Sequence, residues 1–143
     1  MANIVPDSFK TDLLGGVFDF DSSGGSTFKL ALYTDISGFS TSSTAYTTTN
    51  EVSSSGTSYT AGGNTLTNNG VAVSSNIAYV DFADLTFSSV TLTAVGALIY
   101  KSSSNEAVLV LDFGGSKTAT NGDFVIQFPT ANSSSAIIRL GDA

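Results

Sequence analysis

The chain has 143 residues, 41% of them hydrophobic and 12% charged, with a formal charge of −7 and neither Cys nor His. This length fits one domain, 1–143, with enough core to fold unstapled, and the two absences exclude disulfides, thiolate or imidazole metal sites, and Ser-His-Asp or Cys-His catalysis. Twelve Asp and Glu against five Lys and Arg leave no basic footprint for nucleic acid, while 23 Ser, 18 Thr and 14 Gly point to an all-β chain rich in turns.

In chain order, the first element is a helix of about two turns. It opens at Pro6, Asp7 or Ser8, carries Phe9 and Leu13 four apart on one face, and stops at Gly15-Gly16. Residues 1–7 lack the basic start and long apolar segment of a secretory signal, so cytoplasmic synthesis is expected. Phe18 and Phe20 alternate with polar neighbours before the loop 22–26. The strand 28–34 follows, with Phe28, Leu30 and Leu32 on one face and Lys29, Ala31 and Tyr33 on the other.

From 35 to 63 the periodicity dissolves into Ser, Thr and Gly, interrupted by Ile36, Phe39, Tyr46, Val52 and Tyr59. These aromatics argue against a free linker, so the segment is expected to be an extended arm or long loop packed on something. Asn69-Gly70 then predicts a hairpin turn between strands 64–68 and 71–75, because both residues tolerate positive φ. Further strands are expected at 77–82, 85–87 and 90–100, where Gly96 marks a bulge or a close backbone approach. The apolar run 94–100 is far too short to span a membrane and reads as a buried strand. Strand 107–113, a second Asn-Gly turn at 121–122, strand 123–128 and strand 136–140 complete eight or nine strands. Two antiparallel layers are the economical way to bury them: a β-sandwich with one short N-terminal helix, a jelly-roll connection being one compatible arrangement and a closed barrel the alternative.

Candidate sites are sparse. Asp19–Gly24 starts like a calcium loop, but Leu30 stands where the bidentate Glu belongs. Asp81, Asp84, Asp112 and Asp123 are the carboxylates available for acid-base work on a glycoside, although each sits at a strand end or turn. Gly114-Gly115-Ser116-Lys117-Thr118 lacks the spacing and following helix of a phosphate loop and reads as a hairpin loop. Asn132-Ser133-Ser134 matches a glycosylation acceptor in a chain with no secretion signal. No catalytic residue, cofactor or metal ligand is assigned, and the expectation is a protein that is not an enzyme.

The segments 1–14, Phe28–Thr34, Tyr59–Leu66, Tyr79–Asp84, Gly96–Tyr100, Val110–Gly115, Gly122–Pro129 and Ala136–Leu140 cover most of the chain, and in them it resembles a group of small proteins encoded by tailed bacteriophages. The resemblance implies a virion component on the outer capsid surface. In that role a decoration or cement protein, usually a trimer at local threefold positions, bridges neighbouring major capsid proteins. A tail or fibre component that binds host-surface glycans is the alternative. Phe9, Leu13, Phe39, Tyr46 and Tyr59 are the expected interface residues, with ordinary core packing as the competing role for each. Neither nucleic acid nor membrane is an expected partner.

Overall fold

The computed structural model describes residues 2–141. Among them are one helix, α1 (Asp7–Leu14), and seven strands: β1 (Phe28–Tyr33), β2 (Asn64–Thr65), β3 (Asn68–Ser74), β4 (Ile77–Phe82), β5 (Leu85–Lys101), β6 (Ala107–Ile126) and β7 (Ile138–Leu140). They form two antiparallel sheets, four-stranded β2-β1-β5-β6 and three-stranded β3-β4-β7.

The expected alternation of β1 explains how the layers meet. Phe28, Leu30 and Leu32 point into the core between the sheets, where they join Val80 and Phe82 of β4. The Phe20 ring stacks on Phe28 at 4.7 Å, and Phe82 meets Phe28 at 69° and 5.8 Å. Ala31 and Tyr33 face the other way and form a second core with Leu98, Tyr100 and Val110. Because the large sheet is buried on both faces, β1 reads as an almost unbroken apolar run.

Helix α1 runs where the Phe9–Leu13 spacing places it. It buries Phe9 and ends at Leu14, followed by Gly15 at the C-cap and Gly16 at φ +81°; Pro6 occupies the N-cap without a side-chain cap bond.

Several strand boundaries differ from those expected. Asn69-Gly70 is not a hairpin turn: both residues lie within β3, and Gly70 at φ 94° accommodates a register shift in the β3–β4 pairing. The β2 strand pairs with β1, and the actual turn of the β3–β4 hairpin is Ser75-Asn76, with φ of 51° and 64°. Strands 85–87 and 90–100 are one strand, β5, and the expected turn at 121–122 lies inside β6, as does Gly114–Thr118. Repeated bulges let these two long strands stay paired from Leu85↔Ile126 to Tyr100↔Ala107. Gly96 sits beside one bulge and is also a close approach, since a Cβ there would meet the Leu111 carbonyl and stand 2.7 Å from Ile36 Cγ2.

The segment 35–63 folds back over the outer face of the large sheet, where Ile36 and Phe39 enter the second core. It also shields the sheet's edges. Thr34 N donates to Asn50 O at 2.8 Å and Val52 N to Leu32 O at 2.9 Å beside β1, while Ala107 N donates to Thr44 O at 3.0 Å beside β6. Ile4 and Val110 exchange two backbone bonds of 2.9 Å, sealing more of the β6 edge. The outer edges of the small sheet receive no comparable cover: among the described residues, no backbone bond outside the β4 ladders reaches 71–74 or 138–140.

Candidate docking surfaces

The long loop is held by one carboxylate. Glu51 accepts hydrogen bonds from the Tyr46 and Tyr59 hydroxyls, each 2.7 Å, and from Gly62 N at 2.6 Å. The Tyr59 hydroxyl in turn accepts from Leu32 N at 3.0 Å, tying the loop to β1. Tyr33 donates to Thr47 O and Tyr100 to Gly62 O, both at 2.7 Å. Burial, reinforced by the Glu51 carboxylate, pushes the phenols of Tyr33, Tyr46 and Tyr59 well above their ordinary value and raises that of Tyr100 as well. The cluster is a clasp in which each of these hydroxyls already has an acceptor. Sequence reading missed Glu51, although a lone Glu set among Tyr46, Val52 and Tyr59 in a Ser/Thr-rich stretch is the available signal.

The five expected interface residues fall into two groups. Phe9, at 4% exposure, packs on Phe18 at 5.1 Å; Phe39, at 8%, meets Tyr33 edge-on at 5.0 Å; Tyr59, at 3%, is a buried member of the clasp. Tyr46 is half-buried and stacks on Tyr100 at 4.6 Å. These four are engaged by the chain's own packing. Leu13 differs, because it is half-buried and lines two grooves that flank α1.

Of the seven large apolar side chains exposed among the described residues, six lie on α1, beside its two ends, or on the inner face of the small sheet. Leu14 is 80% exposed, Val73 71% and Leu140 58%; Val5, Val17 and Val71 complete the group. The β ladders explain this concentration. Val73, Ala78 and Leu140 lie side by side across β3-β4-β7 and project on the same face as the Val80 row. One groove of about 730 Å3 runs between α1 and β7, and among the described residues its charged walls are Lys10 and Arg139. A second, of about 690 Å3, lies between the turn after α1 and β3, with Asp19 and Asp21 as its charged walls. Leu13 is the wall they share. Adjacent leucines at 13 and 14 are the sequence signal for this face, since two neighbours in a helix cannot both reach one core.

The carboxylates separate. Asp81 accepts from Asn69 Nδ2 at 2.7 Å and Asp84 from Phe128 N at 2.8 Å, so each fixes a local contact. Asp112 and Asp123 share a cleft of about 490 Å3 with Lys117, Thr118, Gln127 and the half-buried Phe113. Asp19 and Asp21 Oδ1 accept from Asp21 N and Ser23 N within their own turn, and Asn132 Oδ1 accepts from Ser134 N and Ser135 N. Among the described residues no group of three potential metal ligands gathers, and no helix is long and apolar enough to cross a membrane.

No protein-family model, curated protein or solved structure matches the chain.

Proposed function

We propose that this chain is a virion structural protein: a non-enzymatic decoration or cement protein that binds the outer capsid surface as a homo-oligomer, trimeric at local threefold positions, and bridges major capsid proteins. One observation carries the reading. Six large apolar side chains stand exposed on and beside α1 and on the small sheet, in a chain that shields the edges of its large sheet with its own loops. A patch of this kind marks a surface that another protein covers. The bacteriophage resemblance supplies the setting. Binding only the assembled shell stabilises it by mass action, and many modest contacts per particle add through multivalency.

The test is co-sedimentation of the purified protein with shells assembled from the major capsid protein of a tailed bacteriophage that encodes it. Saturable attachment that raises the shell's melting temperature is the expected result. Absence of attachment, or attachment with no change in shell stability, contradicts the reading.

The Asp112–Asp123 cleft favours one second reading, a tail or fibre component that holds a glycan of the host surface. Carboxylates and an amide beside an aromatic ring suit a ligand rich in hydroxyls. Glycan-array binding that Asp123→Ala abolishes supports it; an array blank for the wild-type chain removes it.

A further inference from the structure

We infer that the cover of the exposed end is a second copy of this chain, joined by seating the cationic groove of one copy on the acidic groove of the next. This contact between copies rests on the assembly role proposed above and gives it a specific surface.

Charge is the first constraint. The chain carries −7 overall, so two copies approaching at random repel each other. The two grooves beside Leu13 are an exception, because among the described residues their charged walls are segregated by sign: Lys10 and Arg139 on one side, Asp19 and Asp21 on the other. Lys10 holds an exposed 2.8 Å contact with Asp7, and Arg139 Nη1 donates to Ser134 O at 2.6 Å. Both contacts leave further donors for an incoming carboxylate.

A surface with one positive and one negative flank about a shared apolar wall is complementary to itself. A twofold axis in the contact plane through Leu13 lays each cationic groove on the other copy's acidic groove. A ring of copies achieves the same match by passing it from each neighbour to the next. In either closure Leu14 and Val71, exposed in the isolated chain, become buried at the centre with the charges at the rim. The bare edges of β3 and β7 lie at this same end, whereas the large sheet's edges are covered from within.

The test uses the full chain and reads mass by sedimentation equilibrium, with circular dichroism as the check on folding. Wild-type protein is expected to form a closed dimer or trimer, weakened by salt. Lys10→Glu with Arg139→Glu is expected to weaken association by about tenfold or more. Adding Asp19→Lys and Asp21→Lys to that variant restores complementarity with its polarity reversed and is expected to recover the oligomer, which a folding lesion would not do. Leu14→Asp, at a side chain that supports no core, is expected to give a folded monomer. A monomeric wild-type chain overturns the inference, as does an oligomer indifferent to the charge reversals and to Leu14→Asp. Shells play no part in this measurement, so it fails or succeeds independently of capsid attachment.

Discussion

At the scale of single residues, Glu51 shows how a Ser/Thr-rich loop without periodicity acquires a fixed shape. Its carboxylate gathers two phenol hydroxyls and a backbone N–H from three points of the loop. Replacing it by Leu leaves the buried Tyr59 hydroxyl and Gly62 N–H without their acceptor, at about 1–3 kcal/mol for each. Glu51→Leu is therefore expected to lower stability by about 3 kcal/mol, read from urea unfolding, with Glu51→Gln losing less. The clasp also sets an alkaline limit. Tyr33, Tyr46, Tyr59 and Tyr100 have folded pKa values raised above the ordinary 10.0, so the native state keeps phenol protons that the unfolded chain releases. Their stabilising contribution is complete below that pH and is lost as pH rises beyond it. Urea midpoints are expected to hold steady to pH ~9 and fall steeply above ~10, together with late phenolate absorbance. Midpoints that do not change through this range contradict the clasp.

At the scale of elements, the sequence discloses α1 and β1 well because each has one dominant period: Phe9 and Leu13 at helical spacing, and Phe28, Leu30 and Leu32 at strand spacing. The turns are less legible. An Asn-Gly pair advertises positive φ, but a bulge inside a strand uses it as readily as a hairpin does. Gly70 at φ 94° and Asn121 at φ 46° are of this kind, while the working turn falls on Ser75-Asn76, where Ser gives no such signal. The consequence is testable, since Ser75→Asn with Asn76→Gly suits that turn better and is expected to raise stability by about 0.5–1 kcal/mol in thermal unfolding. Gly96 is legible as a special position, and the crowding of Ile36 and the Leu111 carbonyl around it supplies the reason. Gly96→Ala is expected to cost about 1–3 kcal/mol through overpacking; a neutral effect in the same unfolding assay would show that Ile36 does not seat there.

At the scale of the whole molecule, the two layers are foreseeable from strand number and length, but the exposed face is not. Whether Val71, Val73 and Leu140 are covered depends on where α1 ends over the small sheet, a tertiary fact without a local pattern. The same reason accounts for the five expected interface residues: aromatics in a polar loop signal packing but do not say on what, and Phe39 and Tyr59 pack at home. Shortening the loop by deleting residues 36–60 would remove part of the second core along with the clasp. Such a deletion is expected to unfold the chain, and a cooperative transition retained in the shortened protein would show that Ile36 and Phe39 do not hold the second core together.

The role proposed for this chain, a passive assembly component, is tested most simply by locating the protein in purified particles by cryo-electron microscopy. Two-layered density on the outer shell is predicted, with copies touching through the α1–β7 end. Particles that lack the protein, or carry it with that end open to solvent, would contradict the claim.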